Sequence, residues 1–443
     1  MTCRPTVSAF VLGLLLLPAA AVAQDASPAS IVLSLDEAVT RAVETSHRLA
    51  EARARGDAAA AVADARHAPT RPQVTALGGY TRTNHIEEFG ILLPNNQLRV
   101  IYPDIPDNYR SRLDVQWPLY TAGRLDALES AARREYSASS RDLDAATADV
   151  RLDTTRAFWS LVVARENQRV VNESLARMTA HVRDVHNQFE AGLVPPNEEL
   201  TARAQEARQR MLSIQSRTVR ENAEADLARL VGLAPGAPID VSAALAAPVV
   251  ADAFDALVAA ATQNRPERHA LEERVAAAES RVHAAEAGRK PTVAVAGGVD
   301  YARPNQRIFP RLGEWRESWD ASVNVSWSLF DGGRTKSEAA EASAGVRVVR
   351  ARLAEFDSLV ALEIRQRLSE LESSRAALEA ADVAVEASTE ARRVVGERFA
   401  AGVATSTDVI DAQVAILQAQ MDRTQAVASA RLAEARLNRA VGR

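Results

Sequence analysis

From Arg124 to Ala191 the chain contains neither proline nor glycine, and small or apolar residues recur at steps of mostly three and four. Leu143, Ala146, Val150, Ala157, Leu161, Ala164, Val171, Leu175, Met178, Val182, Val185 and Phe189 mark a heptad seam. Polar Asp153 and Gln168 fill its two gaps. Residues 334–401 repeat the same length of 68. At ~1.5 Å per residue each stretch predicts a helix about 100 Å long, far beyond the ~10–14 residues usual in globular proteins. Gly192 and Gly402 stand where a left-handed residue stops a helix. Pro195-Pro196 and Thr405-Ser406-Thr407 then restart it. The following helices are expected over 197–231 and 406–441, and shorter ones over 36–67 and 255–288. Two half-length helices end to end nearly match one long one, so each long helix is expected to pair along its length with two short ones.

The remaining segments alternate with a period of two. Leu113, Val115, Trp117 and Leu119 face one way on a strand, and Val323, Val325, Trp327 and Leu329 do the same. With strands at about 73–82, 110–120, 292–302 and 319–330, the chain predicts two hairpins. Trp117, Tyr120, Trp327 and Phe330 gather at one strand end; Tyr109, Trp315 and Trp319 lie near the other. Two aromatic girdles around an apolar face fit a transmembrane barrel; a soluble antiparallel sheet with aromatic core residues fits the alternation equally well. Four strands are too few for a closed barrel, which needs at least ~8 because lipid tolerates no open edge. Membrane-spanning strands would therefore have to be pooled by two or more chains.

These segments occur twice. Leu35-Asp36 aligns with Phe254-Asp255 and Gly78-Gly79 with Gly297-Gly298 at an offset of 219. From Trp117 onward the offset is 210 and holds to the end, so one 9-residue length change falls between Gly79 and Trp117. The reading is two copies of one structural unit, over 24–232 and 254–443, joined by a Pro- and Ala-rich connection at 233–253.

Composition adds an address. Residues 1–23 carry Arg4, an apolar run from Ala9 to Leu17, and the small-residue cleavage site Ala21-Val22-Ala23. That is a secretory signal, too short to span a bilayer as a helix. The only cysteine, Cys3, lies inside it and away from the cleavage point, so no lipid anchor, disulfide or thiolate metal site is expected. Residues 24–443 keep 52 basic against 58 acidic side chains, a formal charge of −6, with no basic stripe of the kind nucleic acid needs. No catalytic constellation is present: there is no His-Glu-x-x-His, no phosphate-binding glycine loop and no Gly-x-Ser-x-Gly. Neither enzyme chemistry nor a cofactor is expected.

A signal peptide, a doubled unit, paired long helices and short hairpins together resemble the TolC family of outer-membrane efflux proteins. The most specific motifs are Phe189-x-x-Gly192-Leu-Val, Phe399-x-x-Gly402-Val-Ala-Thr-Ser-Thr-Asp408-Val-Ile-Asp411, and Trp327-Ser-Leu-Phe-Asp-Gly-Gly-Arg334. The resemblance covers essentially all of the chain after the signal. It implies an α+β membrane protein that forms a homotrimer: a 12-stranded β-barrel in outer-membrane lipid, continuous with a periplasmic α-barrel. It implies an exit duct for efflux or type I secretion, docked on a periplasmic adaptor and an inner-membrane transporter. Residues 233–253 would lie at the equator, and the tips Gly192-Leu193-Val194 and Gly402-Val403-Ala404 would meet the adaptor. The main alternative is a secreted periplasmic coiled-coil protein, itself an adaptor.

Carboxylates gather just past the tips. Glu198 and Asp408 are equivalent at offset 210, and Asp411 lies about one turn beyond Asp408. The resemblance implies that such acids ring the entrance; capping by acids in a first helical turn is the other reading. Some relatives lock the entrance with a Tyr and an Arg near the second tip, bonded to an acid near the first. The matching positions here are Phe399, Ala404 and Glu198, and neither Phe nor Ala can supply that link. Closure is expected to rest on the acid rings and on helix packing.

Overall fold

The computed structural model describes residues 31–234, 236–242 and 253–443. The signal sequence and its cleavage point, and most of the 233–253 connection, lie outside these residues. In chain order the elements are β1 (Ile31–Leu33), α1 (Leu35–Thr45), α2 (His47–His67), β2 (Gln73–Arg82), β3 (Phe89–Leu92), β4 (Leu98–Tyr102) and β5 (Asp107–Tyr120). Next come α3 (Arg124–Glu190), α4 (Pro196–Leu230), β6 (Ile239–Val241), α5 (Phe254–Asn264) and α6 (Pro266–Glu286). The chain closes with β7 (Thr292–Arg303), β8 (Arg316–Ser326), α7 (Arg334–Ala400) and α8 (Ser406–Val441).

Helices α3 and α7 each run 67 residues, one fewer than the sequence spacing suggests. Ala191 and Ala401 cap them instead of continuing them. Each half-length partner is broken once more. Ser46 is extended and accepts a hydrogen bond from the Leu49 amide, which splits 36–67 into α1 and α2. Arg265 is extended at the matching place because Pro266 disfavours a helical residue before it. Its guanidinium is buried against Glu363 at 2.6 Å and over the Phe356 ring.

The helices form one layer. In its upper half the order is α2–α3–α6–α7, and in its lower half α4–α3–α8–α7. At the equator β1 and β6 pair in parallel, with Leu33 and Ile239 packed on Phe158, Trp159, Leu161, Leu227 and Val231. Nearby, Arg439 of α8 reaches Asp149 of α3 at 2.7 Å and Glu267 of α6 at 2.5 Å, tying three helices together. Among the described residues no helix is long and apolar enough to cross a membrane.

The four long strands form one antiparallel sheet in the order β2-β5-β7-β8. Strand β5 begins at Asp107 and β8 covers 316–326, so the sheet starts earlier than the alternation indicated and Trp327 to Phe330 lie past its end. The extra length of the first repeat is also no plain loop. It folds into the hairpin β3–β4, which turns at Asn96 with φ +60°. Asn tolerates that left-handed conformation better than most side chains.

Candidate functional site: the hairpin tips

Both tips are built the same way. At the first, the Leu193 amide donates to the Gln188 carbonyl (2.9 Å) and Gly192 to Phe189 (2.9 Å). At the second, Val403 donates to Arg398 (2.9 Å) and Gly402 to Phe399 (3.0 Å). This is a Schellman closure, and it requires the positive φ of Gly192 (+72°) and Gly402 (+73°). The closure leaves Leu193 75% and Val403 63% exposed, while Val194 and Ala404 are half-buried beside them. Each tip thus presents one apolar side chain to whatever lies beyond.

The acids divide into two kinds. Asp408 closes a capping box: its carboxylate accepts from the Thr405 amide and hydroxyl, both at 2.8 Å, and its own amide donates back to the Thr405 hydroxyl at 3.2 Å. These bonds hold its carboxyl below the usual aspartate range, so it stays ionised. Capping is therefore what Asp408 does within one protomer. It is also exposed, as is Asp411 one turn later. Glu198 is half-buried, and its helix begins on Pro195 without a side-chain cap. The equivalent positions have diverged: one acid stitches its helix start, and the other does not.

Two groups are legible only in the structure. Glu199, the neighbour of Glu198, is buried and held by His186 (2.8 Å) and Arg203 (2.5 Å). His181 is 5% exposed; its Nε2 lies 2.8 Å from the Ser406 hydroxyl, and its ring meets the edge of Phe399 with centroids 5.2 Å apart. One side chain of the first hairpin therefore clasps both helices of the second. Phe399 cannot make the hydroxyl bond that some relatives use, yet it still crosses to the first hairpin, through His181 and not Glu198. Burial pulls the His181 pKa down, partly offset by Asp184, Ser406 and Glu198, so the ring is neutral near pH 7. The signal was its place on the heptad stripe: Ser174, Met178, His181 and Val185 are all buried at steps of four, three and four.

At the other end of α3 and α7, the clustered aromatic residues have concrete partners. The Trp117 indole donates to the Thr70 carbonyl (3.0 Å) and that of Trp327 to Arg289 (3.1 Å). Both carbonyls belong to the short turn between a helix and its strand, so each indole ties a strand's lower end to the helical layer. Tyr120 and Phe330 are exposed beside them. At the opposite end Tyr80 and Tyr109 pack at 5.0 Å, and Trp315 stacks on Tyr301 at 5.0 Å. The face between the two aromatic clusters carries Val74, Leu113, Val115, Val295, Val299 and Val323, paired across the strands; the reverse face carries Arg, Asp, Gln, Ser and Asn.

Comparison with known proteins agrees with this geometry. The chain is 26% identical over 355 residues to Protein CyaE of Bordetella pertussis, covering 79% of this chain and 71% of that one. Its fold matches a membrane protein of Pseudomonas aeruginosa with a TM-score of 0.77 at 20% identity, over 92% of each chain. It matches the open state of the MtrE outer membrane channel of Neisseria gonorrhoeae with a TM-score of 0.75 at 19% identity, over 92% of this chain and 88% of that one. The model of the outer membrane efflux protein family covers residues 38–233 and 257–443, the two repeats and little else. The chain belongs to the outer membrane efflux protein family.

Proposed function

We propose that three copies of this chain close into one duct, which passively conducts substrates of an efflux or type I secretion system across the periplasm and outer membrane. The observation that carries the reading is the agreement of the open edges. The sheet ends on unpaired β2 and β8. The helical layer ends on α2 and α4 on one side and on α7 on the other. Exposed apolar residues line the helical edges: Leu200, Met211, Ile214 and Val219 on α4, and Val348, Leu359, Leu362 and Val383 on α7. An open strand edge cannot face lipid, and the two edges differ, so copies join head to tail and a closed ring satisfies them all. Three four-stranded sheets give twelve strands, within the size range of outer-membrane barrels.

In this ring the apolar sheet face meets lipid, and the Trp117, Tyr120, Trp327 and Phe330 girdle sits at the periplasmic interface. The tips Gly192-Leu193-Val194 and Gly402-Val403-Ala404 offer a periplasmic adaptor three pairs of apolar knobs, coupling the duct to an inner-membrane transporter. Glu198, Asp408 and Asp411 line the entrance as acid rings, and the His181–Ser406–Phe399 clasp holds it narrow.

The test is current through the purified protein in a planar bilayer. The wild type conducts with cation preference, and Asp408→Asn with Asp411→Asn reduces that preference. Conduction with unchanged ion selectivity removes the acid rings from the proposal; absence of any channel removes the duct and favours a soluble coiled-coil interaction protein.

A further inference from the structure

The polar face of the sheet carries a charge network, far from the hairpin tips. Arg110 donates to Asp300 from Nε at 2.9 Å and from Nη2 at 2.6 Å. Arg112 lies at the centre, 2.7 Å from Asp114, 3.5 Å from Asp300 and 3.0 Å from Asp320. The network crosses β5, β7 and β8 where Gly298 leaves room. A Cβ there would come within 2.7 Å of the Asp114 carboxylate and 2.8 Å of the Arg112 guanidinium.

The segment after β7 folds down onto this network instead of away from it. Asn305 is buried, and its amide donates to the Arg316 carbonyl (2.9 Å) and the Ser318 hydroxyl (3.0 Å). Arg307 donates to the Trp319 carbonyl (2.9 Å) and pairs with Asp320 (3.1 Å). Residues 304–307 thus form a strap tied by two side chains across the polar face. Beneath it lies a groove of about 600 Å³ reaching to β2 and β5. With the strap included, the network balances three arginines (110, 112, 307) against three aspartates (114, 300, 320).

We propose that this strap is a second constriction, inside the barrel near its outer end, that limits the size of solutes entering from outside. The inference rests on the duct reading, in which the polar face lines the lumen. Two features point to a tether and not an idle loop. Its anchors are the Ser318 and Asp320 side chains of the polar face and two carbonyls of the same strand, and its charge is neutralised locally, so it narrows the passage without setting an ionic preference. Ion preference is then set at the periplasmic end, where Asp408 and Asp411 are exposed.

The test places one cysteine below the strap in a Cys3→Ser background, which has no other thiol. Ser322→Cys sits two residues past Asp320 on the polar face, and Val323→Cys sits on the apolar face. Intact cells are treated from outside with methanethiosulfonate ethylammonium or with a polyethylene-glycol maleimide. Expected is fast reaction of Ser322→Cys with the small reagent and slow reaction with the bulky one. Either Asn305→Ala or the charge-conserving pair Arg307→Ser with Asp320→Ser should make the bulky reagent fast, at equal amounts of outer-membrane protein. Equal rates for both reagents with the strap intact, or a bulky reagent still excluded in both variants, overturns the strap. Equal reaction at positions 322 and 323 overturns the duct itself.

Discussion

Helices α3 and α7 have the same length, hold the same place in their repeats and end in the same turn, yet α3 buries seventeen side chains and α7 buries eight. The difference lies in their neighbours. Helix α3 is covered by α2 and α4 on one side and by α6 and α8 on the other, whereas α7 meets α5, α6 and α8 and then solvent. Duplication gave two copies of one helix, and position in the layer gave them different work. The first is the spine of the protomer. The second is its edge, with Val348, Leu359, Leu362 and Val383 left exposed.

That contrast can be broken at the spine first. Phe158 is fully buried in the equatorial core, so Phe158→Ala should cost about 3–5 kcal/mol, read as an earlier loss of helical circular dichroism on denaturant titration in detergent. A loss below about 1 kcal/mol would mean that α3 is not the spine. The Arg439 knot comes next. Arg439→Ala leaves Glu267 with Arg265 at 3.4 Å and Asp149 with Arg48 at 3.7 Å, and both keep some solvent, so the cost should be about 1–3 kcal/mol, short of a fully buried pair. Double-mutant cycles with Glu267→Gln measure the coupling.

The clasp sharpens the comparison at the tips. The ordinary histidine value is near 6.5, and burial sets the folded His181 below it. A released or unfolded His181 therefore binds more protons as pH falls through that value, so the clasp is complete above about pH 6.5 and weakens below it. Hydrogen exchange at the start of α8 should accelerate as pH drops from 7 to 5, after correction for intrinsic rates. His181→Gln should flatten that profile; an identical profile in the variant would remove His181 from the clasp. The smallest effect on the protomer, and the most selective one, belongs to α7. Leu359→Ser with Val383→Ser should change protomer stability by no more than about 0.5 kcal/mol, because both side chains are exposed. The same pair should dissociate the assembly on native gels.

Much of this was legible in the chain, because long helices and a tandem repeat write themselves as pattern. The absence of proline and glycine from 124–191, and the constant offset of 210, required α3 and α7 to match. What stayed hidden has identifiable causes. The four predicted strands do not include hairpin β3–β4, although Pro94-Asn95-Asn96 is a turn signal between two apolar runs. The break at Arg265 was available from Pro266; the break at Ser46 depends on one side-chain cap. His181 stands on a buried stripe with Ser174, Met178 and Val185, but its clasp shows only with its partner, and Ser406 lies 225 positions away. Glu198 and Asp408 were matched correctly by offset, but their different capping states follow from Pro195 standing where Thr405 stands.

The central claim is that the edge of α7 and the open strand β8 are completed by the next copy in a closed ring of three. Single-particle electron microscopy of the full-length protein, extracted from outer membranes in mild detergent, tests it directly. The account predicts a hollow cylinder with threefold symmetry and a helical portion about 100 Å long, the length of 67 helical residues. A compact monomer, or an assembly without a central channel, would contradict it.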